Sequence, residues 1–359
     1  MKVMTILGSR PEIIRLSRII PLLDRECSHL LVHTGQNFTP ELSDIFFHEL
    51  GLRKPDRHFD LGGGKNRLGR TVGLMFEGIE TLIQEQKPDK VLILGDTNSG
   101  LCAFMAKRMG VFVCHMEAGN RSYCDQTPEE VNRRVIDQCS DLLMPYTENS
   151  RKNLAREGFP PERIAVTGNP IFEVMAHFRP EIEQSRVLDR LRLEPKRFAL
   201  ATLHRAENVD HPGRLAKALE SLSRVQARLG LPLVLSLHPR TRDRMAACGL
   251  TPDTPGMIFS PPFGFFDFVR MEQDALCVLS DSGTVQEECS ILKTPCLTLR
   301  DQTERPETLA CGANELCGVE PERVLPALDR ALARTPDWNA PEGYLVPDVS
   351  RIAALLVLT

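Results

Sequence analysis

The chain has 359 residues, 42% of them hydrophobic and 26% charged, with a formal net charge of −4. That length predicts two domains with ordinary cores, and the charge excludes a general nucleic-acid binder, so any anionic ligand must be held by local arginines. Eleven cysteines without a C-x-x-C pair argue against zinc. With no leader pattern and no apolar run long enough to span a bilayer, they set the expectation of a cytoplasmic protein with reduced thiols and no membrane partner.

In chain order, an apolar strand, a polar turn and an amphipathic helix recur. Lys2-Val-Met-Thr-Ile-Leu leads into Gly8-Ser-Arg-Pro-Glu and a helix from about Ile13. His29-Leu-Leu-Val leads into His33-Thr-Gly-Gln-Asn, and Val91-Leu-Ile-Leu into Gly95-Asp-Thr-Asn-Ser. Val111-Phe-Val-Cys reads as a buried strand before the acid- and arginine-rich stretch His115–Arg134, which Gly119 and Pro128 keep from being one helix. Ser140-Asp-Leu-Leu-Met precedes a helix start at Thr147-Glu-Asn-Ser, and Ile164-Ala-Val-Thr-Gly-Asn-Pro closes the first half.

A second series follows a seam near residues 168–185. Phe198-Ala-Leu-Ala-Thr-Leu leads into His204-Arg-Ala-Glu-Asn, and Leu233-Val-Leu-Ser-Leu into His238-Pro-Arg-Thr. Ala275-Leu-Cys-Val-Leu leads into Ser280-Asp-Ser-Gly-Thr, and Pro295-Cys-Leu-Thr-Leu into Arg300-Asp-Gln-Thr-Glu-Arg-Pro-Glu. The rhythm predicts an α/β chain of two Rossmann-like domains facing across a cleft: residues 1–170, then residues 171–345, with 346–359 packing back on the first.

Chemistry concentrates in the turns, where an open α/β sheet puts it. Gly8-Ser-Arg-Pro-Glu offers backbone N–H groups and Arg10 to an anion, but lacks the glycine spacing of a dinucleotide site. Ser282 and Gly283 stand at a helix start apt for a diphosphate, and Glu288 lies further along, within reach of a ribose diol. The same pattern also suits an ordinary capped helix with acids in its first turns. His238 and Arg305 could add phosphate donors, and arginine's fork suits that task. Asp96 is a carboxylate at a strand end whose pattern by itself favours a helix N-cap, and Glu117 and Glu129 sit within the charged stretch.

The ordered set Gly8-Ser-Arg-Pro-Glu, His33-Thr-Gly-Gln, Gly95-Asp-Thr, His115-Met-Glu-Ala-Gly, Pro128-Glu-Glu-Val-Asn-Arg, Thr167-Gly-Asn-Pro, His204-Arg-x-Glu-Asn, His238-Pro, Asp281-Ser-Gly-x-x-Gln-Glu-Glu and Thr303-Glu-Arg-Pro-Glu resembles the non-hydrolysing UDP-N-acetylglucosamine 2-epimerases. The resemblance implies a two-domain fold shared with GT-B glycosyltransferases, a homodimer, a UDP-sugar substrate, and no metal or other cofactor. It implies inversion of C2 by anti-elimination of UDP and re-addition. That route needs acid/base groups on both faces of C2 and stabilisation of the departing diphosphate. Carried over residue by residue, it makes Asp96, Glu117 and Glu129 the acid/base carboxylates, with His204 near the diphosphate. Arg10, Arg15, His238, Ser282, Gly283, Thr284, Glu288 and Arg305 become UDP and sugar contacts, and Arg121 and Arg133 hold carboxylates or phosphate.

Departures from the family pattern point to a subgroup. Ser9 replaces threonine, Arg15 lysine, Asn37 histidine, Asn120 leucine and Thr284 glycine, and the loop Ser122-Tyr-Cys-Asp-Gln-Thr is short. Together they resemble members acting on UDP-2,6-dideoxy-2-acetamido-L-hexoses, of the UDP-N-acetyl-L-fucosamine type, in sugar-nucleotide supply for surface polysaccharide. UDP-GlcNAc/UDP-ManNAc as substrate, a hydrolysing 2-epimerase and a GT-B glycosyltransferase stay open as alternatives.

Overall fold

The structure, a computed structural model, describes residues 1–36, 40–61 and 67–359, without the side chains of residues 40–44. Asn37 lies outside the described residues. Met1–Ala176 together with Glu342–Thr359 form one compact unit, and His177–Pro341 form a second.

The first unit is built on six parallel strands: β1 (Lys2–Leu7), β2 (Ser28–His33), β3 (Arg57–His58), β4 (Lys90–Leu94), β5 (Phe112–Met116) and β6 (Leu142–Met144), in the order β3-β2-β1-β4-β5-β6. Strands buried on both faces need near-continuous apolar runs rather than alternation, and Val3–Leu7 and Val91–Leu94 are entirely buried. Met4, Ile6, Val91, Ile93 and Val113 pack against Met75, Ile79, Leu82 and Ile83. The latter four share one face of the helix Leu68–Gln86 because they recur at spacings of three and four. Full burial of each such side chain stabilises the fold by about 1.5–3 kcal/mol. The helix Val349–Leu358 belongs to this unit, where the Ser350 N–H donates to Glu173 Oε2 at 2.7 Å.

The second unit repeats the plan with β7 (Ala199–Leu203), β8 (Leu233–Leu237), β9 (Met257–Ser260), β10 (Cys277–Ser280), β11 (Cys296–Thr298) and β12 (Asn314–Leu316), in the order β12-β11-β10-β7-β8-β9. In both units the chain winds outward in one direction for three strands, then returns to the other side of its first strand. The reversal falls between β1 and β4, and again between β7 and β10. A doubly wound sheet opens a crevice at such a point, outside the carboxyl ends of the strands.

Two sequence expectations change in detail. Ile164-Ala-Val-Thr forms no strand but a single bridge from Ile164 to Leu143, because a 3-10 turn, Pro161–Arg163, precedes it and Val166 is exposed. The edge strands β3, β9 and β12 were not foreseen: β3 is two exposed polar residues, and none of the three carries the long apolar run of a central strand.

Candidate active site

At the reversal point of the first unit three turns meet. Gly8 follows β1, Thr34 follows β2, and Thr97–Ser99 follow β4. A Cβ on Gly8 would fall 2.1 Å from Thr34 Oγ1 and 2.2 Å from Ser99 Oγ, so only glycine admits this approach. Glu12, in the helix Arg10–Leu16, ties them together. It accepts from the Gly8 and Ser9 N–H groups at 2.5 and 3.0 Å and from Thr97 Oγ1 at 2.6 Å. The anion-binding N–H groups expected at this turn are therefore taken up internally by the capping carboxylate. Burial drives the Glu12 carboxyl up to about 7, against the pull of Thr97, Gly8 and Ser9.

Glu117 directly follows β5 and adopts φ +69°, a left-handed conformation that a glutamate avoids and that functional sites commonly retain. Its N–H donates to the Met144 carbonyl, which closes the turn over β6. Arg15 Nη1 meets Glu117 Oε2 at 2.7 Å, and Asn120 Nδ2 donates to Glu117 Oε1 at 3.4 Å. The cation on Glu117 is thus Arg15, not the nearby Arg121. Arg121 is buried and bonds Asp137, Glu157 and its neighbour's carbonyl.

Asp96, just past β4, is half-buried and held by Arg133 through Nε at 2.9 Å. It does not cap a helix; Thr97 caps the 3-10 turn Asn98–Leu101 by accepting from Ser99 N–H. Arg133 reaches across to Glu130 as well, at 2.6 Å. Glu129 and Glu130 are consecutive in the helix Pro128–Cys139 but differ in environment. Glu130 is fully buried and accepts from Ser122 N–H at 2.9 Å and Tyr123 N–H at 3.1 Å, which pins the short loop before the helix. Glu129 remains half-buried. Asp96 and Glu117, with Arg133 and Arg15 as their cations, thus stand after the neighbouring strands β4 and β5.

Beneath them lies a strut that sequence reasoning missed. His115 Nδ1 meets Asp137 Oδ1 at 2.8 Å and Nε2 meets the Gly95 carbonyl at 2.9 Å, so both ring nitrogens are engaged. Asp137 also takes Arg121 Nη2 at 2.7 Å and the Gly119 N–H at 3.2 Å. Burial alone would raise the Asp137 carboxyl; the His115 and Arg121 donors outweigh it and hold it below the usual range. Gly119 sits at φ +76°, where a Cβ would lie 2.3 Å from the Ser150 carbonyl. Arg10 is half-buried, with its guanidinium 5.9 Å from the Phe46 ring centroid, and burial lowers its pKa.

At the reversal point of the second unit, Asp281 follows β10 and is fully buried. It accepts from the His204 N–H at 3.1 and 3.0 Å, the Arg205 N–H at 2.9 Å and Asn208 Nδ2 at 3.1 Å, with His204 Nδ1 at 3.1 Å. Burial by itself would raise this carboxyl, but His204 and the backbone donors bring it down to about 2. Asp281 thereby sets the turn after β7 and the orientation of the His204 ring, a role its place in the motif did not reveal. His238, after β8, accepts the Arg240 N–H on Nδ1 at 3.2 Å, and its ring centroid is 6.0 Å from that of His204.

Ser282 and Gly283 open the helix Gly283–Leu292, and Ser282 Oγ lies 3.0 Å from Thr284 Oγ1. Arg305 lies beside Gly283, bonded to Glu287 through Nε and 3.4 Å from Glu304. Arg205 and Arg300 approach the same Glu304, at 3.7 and 2.9 Å. Glu288 is buried further along the helix. Within this unit His204, His238, Ser282, Gly283 and Arg305 therefore gather at the carboxyl ends of β7, β8, β10 and β11. Among the described residues no group of His, Cys, Asp and Glu side chains is arranged to hold a metal ion, and no helix is long and apolar enough to cross a membrane.

The family model for UDP-N-acetylglucosamine 2-epimerase matches residues 23–354. UDP-2,3-diacetamido-2,3-dideoxy-D-glucuronate 2-epimerase of Pseudomonas aeruginosa is 39% identical over 338 residues, 93% of each chain. UDP-N-acetylglucosamine 2-epimerase of Methanococcus maripaludis is 36% identical over 350 residues, 95% of this chain and 94% of its own. The crystal structure of Methanocaldococcus jannaschii UDP-GlcNAc 2-epimerase in complex with UDP-GlcNAc and UDP matches with a TM-score of 0.95 at 36% identity, covering 100% of both chains. Matches of this extent, on a chain whose carboxylates and cations stand at the strand ends of two doubly wound sheets, show that it belongs to the UDP-N-acetylglucosamine 2-epimerase family.

Proposed function

We propose that the chain is a non-hydrolysing UDP-N-acetylhexosamine 2-epimerase that inverts C2 by anti-elimination of UDP and re-addition. The C2 proton has no carbonyl beside it to make it acidic. In the proposed route one carboxylate takes that proton while the C1–O bond breaks and its electron pair leaves with UDP, giving a glycal-type intermediate. A second carboxyl group returns a proton to the opposite face of C2, and the UDP oxygen re-forms the bond to C1. Asp96, Glu117 and Glu129 are the acid/base candidates, and His204 serves the diphosphate. His238, Ser282, Gly283, Thr284, Arg305 and Arg10 hold UDP, and Glu288 takes its ribose.

The observation that carries this reading is the pair of arginine-held carboxylates after neighbouring strands, Glu117 with Arg15 and Asp96 with Arg133. An adjacent guanidinium offsets a carboxylate's repulsion of a departing diphosphate. Incubation with a UDP-N-acetylhexosamine in deuterated water tests it. Deuterium at C2 of an intact sugar nucleotide is the expected result. Release of free UDP and sugar would instead mark a hydrolysing epimerase, and inertness until an acceptor is supplied would mark a glycosyltransferase.

For the sugar, we propose a UDP-2-acetamido-2,6-dideoxy-L-hexose. Asn120 supports a substrate different from that of the main family, since it touches Glu117 and bonds Ser150 at 2.7 Å where the usual leucine would do neither. The Pseudomonas aeruginosa relative favours a second reading, a 6-carboxylate sugar. A screen of 6-hydroxy, 6-deoxy and 6-carboxylate UDP-sugars decides between them by kcat/KM. A cytoplasmic homodimer supplying surface polysaccharide completes the proposal.

A further inference from the structure

Glu272 lies in the last turn of the helix Phe265–Asp274 and is 0% exposed. Among the described residues, no N–H or hydroxyl donates to either of its carboxyl oxygens. Facing it is a second carboxyl, Glu288, on the helix Gly283–Leu292 packed alongside. Glu288 is itself only 5% exposed. Met271, Val285, Cys289 and Cys296 pack together around this corner as parts of one apolar cluster. The titratable groups acting on Glu272 are Glu288 and the thiols of Cys296 and Cys289. Lys196, the cation at this helix end, directs its ammonium at the Gln273 and Ala275 carbonyls instead.

Two ionised carboxylates only accept and cannot hydrogen-bond each other. A buried pair of this kind therefore keeps one proton, since like charges so close do not both ionise. Glu272 is the natural holder of that proton. It is the more deeply buried of the two, it has no donor of its own, and it lies at a helix C-terminus, where negative charge is disfavoured. Burial, and then Glu288, accordingly push its carboxyl well above the ordinary range.

We propose that Glu272 is a neutral, proton-donating positioning residue whose hydrogen bond fixes Glu288 as an ionised acceptor for the ribose diol of the nucleotide. The inference rests on the proposed ribose role of Glu288. A vicinal diol brings two O–H donors, and a carboxylate can accept both. Without the proton on Glu272, the shared proton would pass to Glu288, which would then offer the diol a competing donor.

Calorimetric titration of wild type, Glu272→Gln and Glu272→Leu with UDP and with 2′-deoxy-UDP tests this, together with the infrared carbonyl band of a neutral carboxylic acid. Glutamine keeps a donor and should keep both UDP affinity and preference for the ribose. Leucine should weaken UDP binding by roughly tenfold to hundredfold and erase the preference for UDP over its 2′-deoxy form. In the wild-type minus Glu272→Gln difference spectrum, which cancels the band of the buried Glu12, a neutral-acid band should remain. Wild type that fails to bind UDP would sink the nucleotide reading and this inference with it. Wild type that binds UDP, with a Leu variant equal to it or with no acid band lost in the Gln variant, would overturn the inference alone. The infrared band needs only wild type and the isosteric Gln variant, so it decides the matter even if the Leu variant does not fold.

Discussion

Arg15 and Glu117 stand 102 positions apart and form a buried ion pair at 2.7 Å, their side chains 3% and 5% exposed. The pair joins the first helix of the chain to the turn after β5 and holds a proposed acid/base group in place. Removing one partner of such a pair leaves a charge in a poorly solvated site. Arg15→Met should therefore lower unfolding stability by about 3–5 kcal/mol, measured by urea titration, with Arg15→Lys losing far less. Equal midpoints for wild type and Arg15→Met would show that Glu117 does not depend on this guanidinium.

Glu117 itself is tested by Glu117→Gln, which keeps the shape and one acceptor oxygen but not the base. Solvent-deuterium exchange at C2 should fall by about 10²–10⁴-fold, while UDP binding persists. Exchange at the wild-type rate would remove Glu117 from the chemistry.

Asp281 connects stability to the placing of His204. Its folded carboxyl is at about 2, below the ordinary 3.8, so the unfolded chain takes up the proton first as pH falls. The resulting stabilisation, about 2 kcal/mol, is complete above 3.8 and is lost as pH falls toward about 2. Asp281→Asn should flatten the stability curve across that window. It should also lower kcat at pH 7, because asparagine replaces with a donor one of the two acceptor oxygens that hold the backbone and ring of His204. A variant with an unchanged acid limb and unchanged kcat would refute both expectations.

Glu12 has the opposite sign. Its folded carboxyl is at about 7, above the ordinary 4.5, so the folded chain keeps a proton that the unfolded chain releases. The contribution is present below 4.5 and is lost as pH rises through about 7. It amounts to about 3 kcal/mol and makes wild type less stable at pH 8 than at pH 5 on this account. Glu12→Gln should remove that slope. The difference between wild-type and variant urea midpoints at the two pH values measures it, and parallel slopes would contradict the assignment.

The alternation of apolar runs and polar turns made the two parallel sheets legible, because a strand buried on both faces must be apolar throughout. Edge strands escaped the same reasoning: Arg57–His58 is paired on one side only and carries no pattern to detect. Carboxylates at strand ends stood out for the same reason as the strands. Their partners did not. Nothing in the sequence distinguishes Arg15 from Arg121 as the cation on Glu117, or Glu130 from Glu129 as the residue that anchors the Ser122–Tyr123 turn. Both are matters of which side chains the fold brings within about 3 Å, the reach of a hydrogen bond.

The sequence alone determined the fold class, the order of motifs and the residue types able to move a proton or hold a diphosphate. Local patterning dictates strands and helices, and chemistry limits which side chains can do that work. Only the tertiary structure decided the pairings: Arg15 on Glu117, Arg133 on Asp96, Asp137 beneath His115, and Asp281 behind His204. It also decided that Glu272 and Glu288 share a buried corner. Pairing energies depend on distance and burial between residues far apart in the chain, and these exist only once the sheets have assembled.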